Sequence, residues 1–213
     1  ILATTLARKH KVWAIDADPA KRLIGWSEKG KIPLRMTVSA TKGERHIHAE
    51  IDEAKAAADF VIIDLEGAAT RLNAFAMGES DLVIIPMADE QQDAEGAIET
   101  IQELALEART MRREIPVRIL FARTKTAVKS RLERSLNAQV RDKIGSFKME
   151  LHNRTAFSAL HNYGGSLYQM DPQDVTGVAK AIANAELFAE ELLSDLRVLN
   201  QMKADKRKMV GNA

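Results

Sequence analysis

Acidic residues follow two separate apolar runs in this sequence. Asp16 and Asp18 come directly after the run 12–15, and Asp64 lies at the end of the run 59–65, shortly before Gly67. Carboxylates placed in this way can hold a hydrated Mg²⁺ ion or orient a water molecule. Glycine at position 67 lets a backbone N–H approach a terminal phosphate closely. The residue types therefore predict a site for magnesium and a phosphate group.

Each of these acids also has an ordinary structural interpretation. Asp16 and Asp18 could form a turn ahead of Pro19, and Asp64 could cap the helix that follows it. Either interpretation is sufficient for a single acid. The same placement after two different runs favours the functional interpretation, because both would supply carboxylates to one site.

The elements that would position these acids follow from the apolar pattern. Continuous apolar runs without alternation predict strands buried on both faces, and runs with helical periodicity predict helices between them. The predicted strands are 12–15, 34–38, 59–65, 81–86, 116–121 and 147–151, and the predicted helices are 1–9, 44–58, 69–78, 94–113, 128–144 and 175–203. This alternation predicts an α/β fold with a mostly parallel sheet and helices on both faces.

Parallel α/β sheets bind ligands at the carboxyl ends of their strands, which is where the acids lie. The sequence has no internal repeat and no linker-like segment, so residues 1–213 are predicted to form a single domain. Its C-terminal helix, about 175–207, ends in a basic tail.

Composition excludes several kinds of chemistry. The 213 residues include no cysteine, which excludes disulfide bonds and thiolate catalysis. No apolar run approaches the ~20 residues of a membrane-spanning helix, so no membrane span is predicted. Because 31 basic residues balance 30 acidic ones, any contact with nucleic acid must come from local basic patches.

Three segments resemble one protein family. The segments 12–19 (VWAIDADP), 59–67 (DFVIIDLEG) and 81–87 (DLVIIPM) are similar to the ParA family of deviant-Walker P-loop ATPases. That family partitions plasmids and chromosomes, and relatives act in conjugal DNA transfer. The similarity extends over nearly the whole chain. The segment 154–160, with Gly164 and Gly165 after it, resembles the branch that contains the ParA-like virulence protein promoting T-DNA transfer.

The resemblance implies a role for each residue of the acidic pattern. Asp18 matches the acid that orients the attacking water, Asp16 a neighbouring acid near Mg²⁺, and Asp64 the Walker B acid that holds the hydration shell of the magnesium. Gly67 lies in the switch-two turn. Many members have Thr-Pro-Pro after the Walker B acid, whereas this chain has Leu65-Glu66-Gly67. This departure leaves the hydrolysis rate open, although it does not affect the expected fold.

The family's phosphate loop, a glycine-rich turn ending in Gly-Lys-Ser/Thr, is not found in the sequence, and residues 1–9 resemble the helix that follows it. We therefore expect the natural protein to carry ~20 to 30 further N-terminal residues, enough for a strand and a loop. Residues 1–213 would then lack the first strand of the domain, and two sheet edges would have no partner strand.

The resemblance also implies cofactors and partners. They are ATP and Mg²⁺, a second copy of the chain in a homodimer, non-specific DNA, and a ParB-like or relaxosome-type protein, in a cytoplasmic, nucleoid-associated setting. The candidate DNA contacts are the basic residues of two clusters: Arg131, Arg134, Lys206, Arg207 and Lys208. A solvated helix face is the alternative explanation for both clusters.

Two other functions are compatible with parts of the pattern. The first is a non-hydrolysing pseudo-ATPase adaptor that docks DNA or a protein, which the altered switch-two residues would suit. The second is a phosphorylated receiver domain, which also has paired acids after one strand. A receiver needs a serine or threonine after its next strand, where this chain has Pro86-Met87-Ala88.

Overall fold

The computed structural model describes residues 1–67, 70–88, 91–110, 114–125, 137–138, 140–142 and 144–211. Within this part of the chain, strands and helices alternate as the sequence predicted. Among the helices so described, none is both long enough and apolar enough to cross a lipid bilayer.

In the described residues, six strands form two parallel three-stranded sheets. They are β1 Val12–Asp16, β2 Met36–Ala40, β3 Phe60–Asp64, β4 Val83–Met87, β5 Val117–Thr124 and β6 Leu151–His152. The first sheet has the order β2-β1-β3 and the second has the order β4-β5-β6, and every pairing is parallel. In the described residues β3 and β4 each end a sheet, so each has one edge without a strand partner.

The helices connect the strands in the crossover manner of parallel sheets. They are α1 Leu2–Leu6, α2 Arg22–Ser27, α3 Ile47–Ala57, α4 Arg71–Glu79, α5 Gln91–Thr110, α6 Thr155–Tyr163 and α7 Val178–Gly211, with a 3-10 turn at Leu167–Gln169. The predicted helix 128–144 lies mostly outside the described residues.

The core residues lie on both faces of the sheets, since neighbouring side chains along a strand point to opposite faces. In β1, Val12 and Ala14 belong to a cluster with α1 and α7, whereas Ile15 packs against α3. In β5, Leu120 joins the cluster with α7, and Phe121 packs in a cluster with α5. Helices therefore cover both faces, which confirms the predicted α/β class.

The structure corrects some predicted boundaries and adds two helices. Strand β2 lies two residues later than predicted, and the predicted strand 147–151 is reduced to the two residues of β6. Helices α2 and α6 were not predicted, because each is short and has no sustained apolar periodicity.

Candidate functional site

The parallel register of the first sheet brings two of the predicted acids together. Asp16 and Asp64 are partners across the β1–β3 pair, at the carboxyl ends of both strands. The backbone N–H of Ala17 donates to the carbonyl of Asp64 at 2.8 Å, so the pairing continues just past Asp16. Asp18 is two residues further along. All three acids therefore lie at one edge of the sheet, which we call the acidic edge.

Asp16 is fixed in the interior at this edge. Its side chain is buried, and both carboxylate oxygens accept backbone hydrogen bonds, Oδ1 from Asp18 at 3.2 Å and Oδ2 from Ile24 at 2.9 Å. A carboxylate oxygen has two lone pairs, so these bonds leave acceptor capacity on each oxygen. Asp16 thus holds the β1–α2 turn in place while keeping an anionic group next to Asp64.

Asp18 is partly buried in that turn. Its Oδ1 accepts from the backbone N–H of Ala20 at 2.8 Å, and its carbonyl accepts from the N–H of Lys21 at 2.9 Å. Lys21 has a left-handed backbone with φ of 48°, a conformation that non-glycine residues adopt rarely. The carboxylate of Asp18 is therefore held by a tight local turn beside the other two acids.

Asp64 is exposed at the acidic edge, and its pKa is higher than that of an ordinary aspartate. Partial removal from water raises the pKa of Asp64, and the negative charges of Asp16 and Asp18 raise it further. Like charges this close disfavour the ionised state of each other. A bound cation would offset that repulsion. In the part of the chain that the structure describes, no three acidic or histidine side chains are placed to ligate one metal ion directly, so a cation here would have to keep most of its water shell.

The turn after β3 is held by residues that sequence reasoning did not identify. Asn73 is buried, and its Nδ2 donates to the carbonyl of Glu66 at 2.9 Å. Thr70 caps α4, accepting from the N–H of Asn73 at 3.2 Å. Gly67 is exposed, and a Cβ built on it would meet no atom within 4 Å. No contact within the described residues requires glycine there, so the open space at Gly67 can admit a ligand.

The amino end of α1 faces the same edge. The backbone nitrogen of Ile1 lies within electrostatic range of Asp64, which places this end of the helix near the acids. The N–H groups of a helix amino end favour anions, and the acids favour a cation. The amino end of α1, a helix of only five residues, therefore adds a weak preference for an anion near the acids.

The family of the chain follows from comparison with known proteins. Residues 2–202 match the family model described as VirC1 protein. The chain belongs to the VirC1 family. A relative, Protein ParA from Rhizobium radiobacter, is 32% identical over 198 residues, which cover 92% of this chain and 89% of that protein. The resemblance to the ParA family is thereby confirmed, including the branch indicated by residues 154–160.

Solved structures share the fold of this VirC1-family chain. A protein described as a plasmid partition protein of Borrelia burgdorferi, bound to AMPPNP, gives a TM-score of 0.68 at 18% identity and covers 91% of this chain and 90% of its own. Cobyrinic acid a,c-diamide synthase of Mycobacterium smegmatis, with bound ADP and magnesium, gives 0.59 at 15% identity and covers 90% and 87%. At these identities the similarity establishes the fold.

The predicted DNA contacts are not all in the described part of the chain. Arg131 and Arg134 lie outside the described residues, as does the side chain of Arg207. Lys206 is on α7, where its Nζ pairs with Glu114 at 2.6 Å, and Lys208 is exposed. The hydrogen bond from Lys206 also lowers the pKa of Glu114. Both side chains of this pair are exposed, so the ion pair is weak and leaves Lys206 accessible to other anions.

Proposed function

We propose that this protein is a ParA-type ATPase that acts as an ATP-dependent DNA-binding switch in plasmid or chromosome partition or in conjugal DNA transfer. The observation that carries the proposal is the acidic edge, where Asp16 and Asp64 pair in register and Asp18 follows. Membership of the VirC1 family supports it, as does the fold shared with structures that hold AMPPNP, or ADP and magnesium.

Each acid has a separate task in this proposal. Asp64, the most exposed of the three, takes the hydration shell of Mg²⁺, and Asp16 keeps a fixed negative charge behind it. The metal would neutralise charge that builds up on the phosphates of ATP. Asp18 accepts a hydrogen bond from the attacking water and so orients it. Gly67 leaves space for the terminal phosphate beside its backbone N–H.

The phosphate loop belongs to the proposal as well. Strands β3 and β4 each have one edge without a strand partner in the described residues, and the amino end of α1 lies near Asp64. We infer that the natural protein inserts a strand between these edges, followed by a loop ending in Gly-Lys-Ser/Thr at α1. The coding sequence upstream of Ile1 tests this inference, and an upstream sequence without that motif would contradict the ATPase assignment.

The decisive experiment is Asp18→Ala in the natural full-length protein. Because the carboxylate positions the water and not the nucleotide, we expect steady-state ATP hydrolysis to fall by about 10²–10⁴-fold while ATP affinity changes little. Hydrolysis is measured by phosphate release and affinity with a fluorescent ATP analogue. Asp52→Ala, at an exposed position of α3, is the matched control and should behave as wild type.

The results separate the proposal from the adaptor alternative. Unchanged turnover in Asp18→Ala would refute the role given to Asp18. A wild-type protein that binds ATP without hydrolysing it would favour the pseudo-ATPase adaptor. We further propose a homodimer that binds non-specific DNA and a ParB-like or relaxosome-type protein in the cytoplasm, on the grounds of family membership alone.

A further inference from the structure

A second site of opposite charge lies at the same end of the first sheet. It is an open cavity of about 400 Å³ lined by Lys42, Glu44, Arg45, His46 and Arg71, which we call the basic pocket. Four of these residues follow β2, and Arg71 begins α4 after β3. Residues from two separate crossover connections therefore meet in one cavity, at the edge where ligands of parallel sheets bind.

The lining of the basic pocket carries more cations than carboxylates. Three permanent cations face one carboxylate, and Glu44 is engaged with Arg71, whose Nε lies 3.3 Å from its Oε1. The side chain of Arg71 remains 78% exposed despite this pair, and Lys42 and Arg45 are also exposed. Since the whole chain has a net charge of only +1, this cluster is a local feature and not a reflection of overall basicity.

The backbone that carries the pocket is held in one conformation. Glu50 of α3 accepts from the hydroxyl of Thr41 at 2.6 Å and from the N–H of Lys42 at 2.8 Å. The Thr41 hydroxyl in turn accepts from the N–H of Gly43 at 3.0 Å, where φ is +104° and a side chain would be strained. Cations on a pre-organised loop bind an anion with less loss of entropy.

The same loop is connected to the acidic edge. The N–H of Thr41 donates to the carbonyl of Asp16 at 2.9 Å, and β2 ends at Ala40, the register partner of Asp16. The pocket therefore lies next to the acids without including them. A phosphate that carries no metal ion would be repelled by the acids and attracted by the neighbouring cations.

We propose that the basic pocket binds a phosphate group, supplied either by a polynucleotide backbone or by a free phosphorylated molecule. Guanidinium groups such as those of Arg45 and Arg71 present paired N–H donors that match phosphate oxygens. The lining consists of charged residues and one histidine, so the contacts that it offers suit a phosphate group. This site is separate from the acidic edge and from the basic tail of α7.

The test compares two charge-matched double variants of the full-length protein. Lys42→Glu with Arg45→Glu reverses the pocket, and Lys9→Glu with Lys180→Glu reverses two exposed cations elsewhere. Binding of inorganic pyrophosphate is measured by calorimetry, and binding of a short DNA duplex by fluorescence anisotropy across a salt series. Far-UV circular dichroism confirms folding, and Arg71→Gln provides a milder second variant at an exposed position.

We expect the pocket variant to bind pyrophosphate at least about tenfold more weakly than the control, because it loses the charge-assisted hydrogen bonds of Lys42 and Arg45 and gains two negative charges beside Arg71. If a DNA backbone is the natural source, the slope of log affinity against log salt should also fall by about one for each DNA phosphate that the variant no longer neutralises. If the pocket variant binds pyrophosphate more weakly than the control but binds DNA equally well, the natural ligand is a free phosphorylated molecule.

The proposal is overturned if the pocket variant and the control bind pyrophosphate and DNA equally well. A wild-type protein that does not bind DNA would contradict the DNA-binding switch proposed above. The pyrophosphate measurement would still decide whether the pocket binds phosphate, so the two proposals can fail separately.

Discussion

Two aspartates that are partners in register have different environments. Asp16 is buried and accepts two backbone hydrogen bonds, whereas Asp64 across the strand pair is exposed. The difference arises because α2 returns over the end of β1, and Ile24 donates to Asp16. One carboxylate consequently stabilises the turn and the other faces the ligand. Residue type alone would give both the same role.

The pKa of Asp64 leads to a prediction about stability. Because its pKa is raised, mainly by desolvation and then by Asp16 and Asp18, the folded state binds a proton more tightly than the unfolded state. Stability is therefore lost as pH rises from the ordinary carboxyl pKa through the raised one. We expect Asp64→Asn to be more stable than wild type near neutral pH, by no more than about 1 kcal/mol because solvent screens an exposed group.

Urea unfolding measures this difference in stability at about pH 3 and about pH 7, which lie on either side of ordinary carboxyl pKa values. The gain should vanish at the lower pH, where both states of the wild type are protonated. Asp52→Asn, exposed on α3, should show no such pH-dependent gain. A variant at Asp64 that is less stable than wild type at neutral pH would contradict the repulsion among the three acids.

At the scale of elements, Glu50 joins α3 to the loop after β2. Its carboxylate accepts from the Thr41 hydroxyl and the Lys42 N–H. We expect Glu50→Ala to lower the free energy of unfolding by about 1.5 kcal/mol, the lower end for hydrogen bonds to a charged group, because the site is partly solvated. Chemical denaturation measures the decrease. Glu53→Ala, exposed on the same helix, is the control, and an equal effect of both would show that the loop is held otherwise.

Strand β6 is short because side chains of α7 form hydrogen bonds with the backbone of the residues around it. Glu191 accepts from the N–H groups of Lys148 and Met149, each at 2.7 Å. Asn184 donates to the carbonyl of Glu150 at 2.7 Å and accepts from the N–H of His152 at 3.1 Å. Backbone groups that the sequence pattern assigned to a strand ladder are thus satisfied by helix residues that lie 32 to 43 positions further along the chain.

At the scale of the whole molecule, one hydrophobic cluster links the two sheets. It contains Val12 and Met36 of the first sheet, Leu120 and Leu151 of the second, and Phe188 of α7. The two sheets have no hydrogen-bonded strand pair between them in the described residues. Packing against α7 therefore provides a direct connection between the two halves of the core.

Phe188→Ala tests that connection. Phe188 is 1% exposed, and its ring meets that of Phe147 edge to face at 5.1 Å. We expect the free energy of unfolding to fall by about 3–5 kcal/mol, as for other large-to-small core changes. In the wild type, tryptophan fluorescence from Trp13 and Trp26 should report the same urea transition as far-UV circular dichroism.

The neighbouring Leu187, half exposed on the same helix, supplies the control, and Leu187→Ala should cost much less than the change at Phe188. Both tryptophans lie in the first half of the chain, so their fluorescence reports on the first sheet. If the fluorescence and dichroism transitions of the wild type separate, the two sheets unfold independently and α7 does not link them.

The sequence by itself determined the α/β class, most strand positions and the placement of Asp16, Asp18 and Asp64 after strands. These features follow from local apolar runs, which need no knowledge of distant neighbours. Only the tertiary structure decided that Asp16 is buried while Asp64 is open, and that Arg71 joins Lys42 and Arg45 in the basic pocket. Burial and electrostatic environment depend on residues far apart in the chain, and the pairing of β1 with β2 and β3 brings them together.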